Sequence, residues 1–342
     1  MSLDAMFKQA NAATEAGRWA DAERDYKALI RLKPAWAFHN LGVIYSRTGR
    51  FAEAEDAYRA ALRTEPTLAA SRHSLAMLLL GAGRYAEGWE LYEARRLVPG
   101  LNIATPRLPF PEWRGESLAG KRLLVIREQG LGDQIQFARF LPQLVSAGAE
   151  VVYLCDPPVA TLFGGLGVST VAAQPGGSYP AADYWVFICS LPLRLGVTLE
   201  GLSGEPYLSA EPAGPGGIGV KARGGAAHVN DRHRSLPPEL ARRLEPMGQS
   251  LDPEATGARH FADTASLIAG MSLVISVDTA VAHLAGAMGT PTWILLSRLE
   301  TDWRWLRDRS DSPWYNSVRL FRQPALGEWG PVLDQVIAEV GG

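Results

Sequence analysis

Between Val274 and Pro291 the chain reads VISVDTAVAHLAGAMGTP, and its polar residues fall where chemistry is readily done. Val274, Ile275 and Val277 are β-branched and suit a buried parallel strand; Asp278 and Thr279 follow where a helix N-cap belongs, ahead of Ala280 to Met288. A helix that starts there leaves backbone N–H groups pointing out of the strand end, and with the positive end of the helix dipole they hold a phosphate well. Thr279 offers a hydroxyl and an N–H, Ala280 an N–H, and His283, one turn on and on the same face, an imidazole. Asp278 carries the wrong sign to meet an anion and is expected to order the turn. The other reading of this corner is a capped helix with a core histidine. Gly289 and Pro291 close the helix.

A second corner lies upstream. Leu123 to Ile126 is a short apolar strand; Glu128, Gln129, Gly130, Leu131, Gly132, Asp133 and Gln134 follow it, and then a helix through about Ala147. Two such corners imply two β/α halves. Ligands of open α/β sheets sit beyond the carboxyl ends of the strands, so facing halves place Asp133 opposite Asp278, Thr279 and His283. Gly130, Gly132 and Gln134, in the same turn, join the expected phosphate-binding set. Asp133 either presents its carboxylate to the cleft or caps its own helix. A third cluster, Asn230 to Ser235, follows a strand starting at Ile218 and precedes a helix near Pro237. Its Arg232 and Arg234 either clamp a diphosphate bidentately or are plain surface charge.

The elements that must position these residues are legible in outline. Strands are expected at Leu123 to Arg127, Val151 to Leu154 and Tyr184 to Ile188 in the first half and at Ile218 to Lys221 in the second, with a terminal helix at Pro331 to Val340. Pro212, Gly214, Pro215, Gly216 and Gly217 separate the halves, 120–212 and 213–342. Pro99, Pro106, Pro109 and Pro111 mark a rigid linker over 101–119. Residues 1–100 are repetitive: Gly17, Gly49 and Gly83 recur at spacings of 32 and 34, each followed two residues later by Trp19, Phe51 or Tyr85. Ala22, Ala54 and Gly88 keep the register, as do Tyr26, Tyr58 and Tyr92 four residues on, and Pro34 and Pro66 end units. This is the tetratricopeptide pattern, whose concave surface suits a protein or peptide partner.

Bulk properties exclude several classes. The 342 residues, 47% of them hydrophobic, allow two or three domains with real cores. Basic and acidic residues nearly cancel, 34 against 36, without a basic tract, so nucleic acid is not an expected partner. Cys155 and Cys189 do not cluster with histidine, which argues against zinc and for reduced thiols in the cytoplasm. The start, MSLDAMFKQANAATEAGRW, lacks a basic segment and apolar run, and no stretch suits a membrane span. A nicotinamide dehydrogenase is disfavoured: GLGD lacks the third glycine of the dinucleotide fingerprint, and Asp156 is followed by two prolines.

GLGDQIQFARFLPQL and SVDTAVAHLAGAMGTP resemble the two signature segments of GT-B glycosyltransferases of the heptosyltransferase type. With EQGLGDQIQFARF, NDRHRS, DWRWLRDRSDSPWY and the N-terminal repeats, the chain resembles a bacterial group that fuses tetratricopeptide repeats to a GT-B domain. The resemblance implies an α-solenoid followed by two Rossmann-type halves, acceptor side first and donor side second. It also implies inverting, metal-independent transfer of a sugar from a nucleotide-diphosphate donor, a substrate and not a cofactor, to an acceptor, a protein brought by the repeats. Such transfer needs a base for the acceptor hydroxyl and positive groups for the departing phosphate. The matching aspartate of those enzymes is the base, Asp133 here; a basic residue contacts the donor, Arg234 ahead of Arg232. Two departures stand out. After Ile218 the group carries a tryptophan-bearing strand end and a Gly-Asn-Pro turn, whereas here Val220 runs into Lys221, Ala222, Arg223, Gly224 and Gly225. Only 43 residues separate Arg234 from Asp278, and 242–260 lacks an apolar strand run, with Ser250, Leu251 and Asp252 a remnant of a nucleotide-binding βα unit. A shortened or lost unit keeps a second function open, that of a degenerate protein-binding scaffold.

Overall fold

The computed structural model describes residues 2–225, 230–299 and 301–341. The chain forms two units, Met1–Thr105 and Pro106–Gly342.

The first unit is built from antiparallel helix pairs: α1 (Leu3–Glu15) with α2 (Trp19–Leu29), α3 (Pro34–Arg47) with α4 (Phe51–Thr64), and α5 (Ala69–Gly81) with α6 (Tyr85–Tyr92). Each pair turns on a glycine in the left-handed region, Gly17 at φ +68°, Gly49 at +78° and Gly83 at +78°, a conformation strained for any other L residue. The same capping bond then recurs: the N–H groups of Arg18, Arg50 and Arg84 donate to the carbonyls of Ala13, Tyr45 and Leu79. Small residues sit where helices touch. A Cβ on Gly42 would lie 2.6 Å from the Tyr58 ring, and one on Gly88 2.6 Å from Leu80. Neighbouring repeats are also tied by charge, Arg50 to Glu23 at 2.5 Å and Arg84 to Glu55 at 2.7 Å.

The second unit contains, among the described residues, two all-parallel sheets. In the first, β1 (Arg122–Ile126), β2 (Glu150–Cys155), β3 (Ser169–Ala172) and β4 (Tyr184–Phe187) lie in the order β3-β2-β1-β4. In the second, β5 (Gly217–Lys221), β6 (Gln249–Ser250), β7 (Met271–Val277), β8 (Thr292–Leu296) and β9 (Val318–Arg322) lie in the order β6-β5-β7-β8-β9. β1 and β2 are apolar and buried after their first residue, as strands covered on both faces must be. Helices Pro238–Leu244 and Trp329–Gly341 close one face of the second sheet over Val220, Ile275, Leu295 and Phe321. The architecture is a solenoid of helix pairs followed by two parallel-sheet α/β halves. In each sheet the chain order reverses at one place, beside β1 in the first and between β5 and β7 in the second. Crevices form at such points, beyond the carboxyl ends of the strands.

Two expectations change. The linker is shorter than 101–119, because its second part belongs to the α/β unit: the Trp113 N–H donates to the Trp185 carbonyl, the Trp185 N–H donates to Pro111, and Trp113 and Leu118 are buried. Prolines break helix and strand periodicity, but their carbonyls still accept, and that is how this segment lines the edge at β4. The βα unit in 242–260 is shortened and not lost. Gln249 and Ser250 pair in parallel with Gly219 and Val220, and short helices at Pro253–Thr256 and Phe261–Ala269 follow. No helix among the described residues is long and apolar enough to cross a membrane.

Candidate functional site

The two switch points face one another across a cleft of about 600 Å³. Its first-half wall is Gly130, Leu131, Gly132 and Asp133; its second-half wall includes Lys221, Arg234, Asp278, Thr279, Ala280 and His283.

Helix Ala280–Ala287 starts at Thr279, whose backbone is extended and whose side chain makes no capping bond. The Thr279 hydroxyl instead meets the Ser276 hydroxyl at 3.2 Å, so among the described residues no side chain answers the N–H groups of the first turn, which remain available to an anion. Gly289 at φ +75° and the bond from the Thr290 N–H to the Ala285 carbonyl end the helix. Arg234 comes from the short helix Asp231–Arg234 and is doubly anchored: its Nε donates to Asp231 at 3.2 Å and its Nη1 to the Asp278 carbonyl at 3.0 Å. Gly224 makes room, since a Cβ there would fall 2.6 Å from the guanidinium. Lys221, at the end of β5, pairs with Asp252 just beyond β6. The shortened βα unit therefore still supplies part of the second-half wall.

Asp133 does both things foreseen for it. One carboxylate oxygen caps its own helix, Leu131–Phe137, accepting from the Gly130 N–H at 2.9 Å; the other meets Arg304, a residue of the second half. Its side chain keeps 17% of its surface open toward the cleft, while Arg304 is 5% exposed. Burial pushes the Asp133 carboxyl up, the Arg304 guanidinium pulls it back, and Asp302 adds to the rise. Across the cleft the Asp278 carboxyl is pushed up to about 7 by burial and by Asp302, against Trp305, Arg234 and Arg304. Asp278 retains some exposed surface, but its carboxyl lies against the cleft floor, where protein replaces most of its water, and the upward direction follows from that. It is the main-chain carbonyl of Asp278 that is tied down, by Arg234, and below neutral pH the raised carboxyl is a neutral acid and not a repelling anion.

His283 is a packed residue as well as a wall of the cleft. Its Nδ1 lies 3.0 Å from the Tyr315 hydroxyl, its ring stacks on Trp305 at 5.1 Å, and burial, aided by Arg304, holds its pKa down to about 3. It meets a ligand as a neutral imidazole. When Tyr315 donates to Nδ1, the ring proton is on Nε2. Gly132 sits directly over it: a Cβ there would come within 2.9 Å of His283 Cδ2 and 3.6 Å of Ala280 Cα. The two glycine-marked corners thus touch backbone to backbone.

Two of the expected site residues are not brought to the cleft. Gln134 is fully buried and faces the other way, its amide donating to Asp156 at 2.7 Å and accepting from the Asp156 N–H at 2.8 Å; it braces the helix against the end of β2. One residue past Asp133 is a 100° turn of the helix, which moves the side chain off the cleft face. Arg232 is exposed and bonds to His233 at 3.0 Å, two residues from Arg234 and on the solvent side of its short helix. Arg304 was not foreseen, although it lies in the DWRWLRDRSDSPWY segment. Nor was Arg139, whose guanidinium donates to the Ser203 and Trp314 carbonyls, each at 2.6 Å, with the Tyr207, Tyr315 and Trp314 rings 4.8, 4.9 and 5.3 Å away.

Family profiles match two parts of the chain: tetratricopeptide repeat over residues 7–69 and 39–100, and glycosyltransferase family 9 (heptosyltransferase) over residues 238–296. Protein FlbA of Caulobacter vibrioides is 30% identical over 334 aligned positions, which cover 79% of this chain and 54% of that protein, so the chain spans about half the length of this curated relative. Among solved structures, a glycosyl transferase family 9 protein of Veillonella parvula aligns at 14% identity over 66% of this chain and 97% of its own, with a TM-score of 0.46. A variant of the O-GlcNAc transferase of Thermobaculum terrenum aligns at 13% identity over 87% of this chain and 83% of its own, with a TM-score of 0.27. The tetratricopeptide match thus precedes the glycosyltransferase family 9 match along the chain, and the latter takes in the Asp278, Thr279, Ala280 and His283 corner.

Proposed function

We propose that the chain is a glycosyltransferase that moves a sugar from a nucleoside-diphosphate donor to an acceptor hydroxyl on a protein presented by the repeats. One observation carries this reading: a carboxylate from one half, Asp133, and an uncapped helix N-terminus with Arg234 from the other line the same cleft. The donor's phosphates lie at the N–H groups of Thr279 and Ala280, beside Arg234. Asp133 takes the acceptor hydroxyl proton, the acceptor oxygen bonds to the anomeric carbon, and the bond from that carbon to phosphate breaks, its electron pair leaving with the nucleoside diphosphate. One base and one displacement invert the anomeric centre. Helix N–H groups and arginine stabilise the leaving charge in place of a metal. Cys155 and Cys189 are buried and not joined in a disulfide, which suits a reducing compartment, and the reading puts the reaction in the cytoplasm.

Calorimetric titration with UDP, GDP and ADP tests the reading. Binding of one of them, weakened by roughly 1–3 kcal/mol in Arg234→Ala as a charge-assisted bond is lost, is the expected result. Asp133→Asn should then bind the donor normally and lose about a hundredfold or more in transfer. The two-residue β6 favours one other reading, a scaffold that keeps the fold without the chemistry. Indifference of the wild type to every nucleoside diphosphate would establish that one instead.

A further inference from the structure

We propose that Arg304 is the positioning residue for Asp133, and that it holds the carboxylate in aim only while the two halves of the α/β unit lie together. This rests on the reading of Asp133 as the base. One guanidinium makes all the contacts: Nη2 to the Asp133 carboxylate, Nε to the Gln136 side-chain oxygen, and Nη1 to both oxygens of Asp302 at 3.0 and 2.8 Å. Asp133 and Gln136 lie on helix Leu131–Phe137 of the first half, whereas Arg304 and Asp302 belong to the loop after β8 in the second. Asp302 grips the guanidinium on its own side, and the remaining two nitrogens reach across.

The backbone is strained at both ends of this bridge. Gln129, next to the Gly130 that shares the Asp133 carboxylate, has φ +59°, and Leu306, two residues past Arg304, has φ +51° with ψ −171°. Such conformations persist in non-glycine residues only where the surroundings over-determine them, and they gather at sites where geometry has to be held. The carboxylate stays competent in this grip, because each of its oxygens accepts two hydrogen bonds and the Gly130 and Arg304 contacts use one apiece.

The groups acting on Asp133 are Arg304 and Asp302 from the loop and the buried Tyr153 phenol from β2, with Asp278 and His283 on the opposite wall of the cleft. Burial alone drives this carboxyl toward its neutral form, which cannot accept a proton, and Arg304 is the cation that opposes burial. Drawing the halves apart withdraws that charge. Opening also readmits water to the carboxyl and so relieves the burial that raises it; what the closed cleft holds is a buried carboxylate that the donor-side half keeps ionised and aimed through Arg304.

The test is a carbon-13 NMR titration of aspartate-labelled full-length chain, with the Asp133 signal assigned through Asp133→Asn and no ligand added. Arg304→Gln should raise the Asp133 midpoint by about one to three pH units, the effect of removing an adjacent arginine, and Arg304→Lys should bring it back toward the wild-type value. In a Gly132→Ala background, where the halves are wedged apart against His283, the further change Arg304→Gln should move the midpoint much less than it does in the wild type. An unmoved midpoint in Arg304→Gln overturns the proposal, and a full-sized Arg304→Gln shift in the Gly132→Ala background removes the dependence on closure. Should Arg304→Gln not fold, Arg304→Met takes its place, with the same upward shift expected and an unmoved midpoint counting against the proposal. Hydrolysis of nucleotide sugars read in parallel should show the acid limb of the pH profile displaced upward in Arg304→Gln with donor affinity kept. Absence of turnover in the wild type with the NMR shift intact refutes the transferase reading and leaves the coupling of Arg304 to Asp133 established.

Discussion

Replacing Gly132 by alanine sets two effects of opposite sign against each other. Gly132 lies inside helix Leu131–Phe137, with φ in the ordinary helical region, so helix propensity alone predicts that alanine stabilises by about 0.5–1 kcal/mol. The added methyl, however, would arrive 2.9 Å from His283 Cδ2, well inside van der Waals contact. His283 has nowhere to retreat. Trp305 is stacked behind it, its Nδ1 is tied to Tyr315, and Tyr315 itself packs so closely on the same helix that a Cβ on Gly286 would sit 2.6 Å from its ring. The two helices must part, and overpacking of this kind costs about 1–3 kcal/mol. We expect a net loss of roughly 1–2 kcal/mol in denaturant unfolding followed by tryptophan fluorescence, together with weaker nucleoside-diphosphate binding. Gly130→Ala is the control, since its nearest atom would be Asp133 Oδ2 at 3.3 Å and its φ is −87°; it should cost less than Gly132→Ala. A Gly132→Ala protein as stable as the wild type or more so would show that the two halves do not meet in solution as described.

Asp278 should make donor binding depend on pH. With its folded carboxyl pushed up to about 7 and an unfolded aspartate titrating near ~4, the folded chain holds an extra proton between those values, so stability falls as pH rises across that window and levels off above it. Asp278→Asn should flatten this slope and exceed the wild type in stability at pH 8, while wild-type affinity for a nucleoside diphosphate should decline as pH climbs past 7; identical profiles would argue against the phosphate position. The buried His39 works in the opposite sense. Held down to about 4 by burial, against ~6.5 unfolded, it contributes stability above that range that is lost as pH falls toward 4; His73 in the same unit is also held down to about 4, so His39→Gln should lessen the slope of the first unit's unfolding and leave the share of His73. Within the repeats, Gly42→Ala should cost more than Gly49→Ala in thermal unfolding. The first drives a methyl to 2.6 Å from Tyr58, whereas the second meets nothing within 4 Å and bears only the strain of φ +78°, about 1 kcal/mol.

What the sequence reveals of this molecule is what local pattern controls. Gly17, Gly49 and Gly83 announce the repeat turns because a left-handed residue is required at each. The runs at Leu123 and Val274 announce buried strands because both of their faces are covered. Asp133, Thr279 and Arg234 could be placed in a cleft because strand ends and helix starts define it. Gln134 and Arg232 went astray for a related reason: spacing says that a residue is near a corner, but the side of a helix it occupies depends on what packs there. β6 showed only as the remnant at Ser250 to Asp252, because it pairs two residues along one edge, and an edge of that length needs no apolar run. Arg304 and Arg139 lay beyond reach altogether, since their partners are 171 and 175 residues away in the chain and nothing local distinguishes them from surface arginines.

The Arg139 contacts carry a consequence for how the protein can diverge. All three of its carbonyl partners, at Gln136, Ser203 and Trp314, are main-chain atoms, so the joint it makes is indifferent to which side chain position 203 bears. Homologues are free to drift there without loosening the halves, whereas the arginine itself has no substitute: a lysine offers three donors on one nitrogen and cannot span two carbonyls with a planar fork while lying among three aromatic rings. Across a lineage, then, position 139 should stay constant amid a variable neighbourhood, the mark of a residue whose correspondents are written in the backbone rather than in the genetic code.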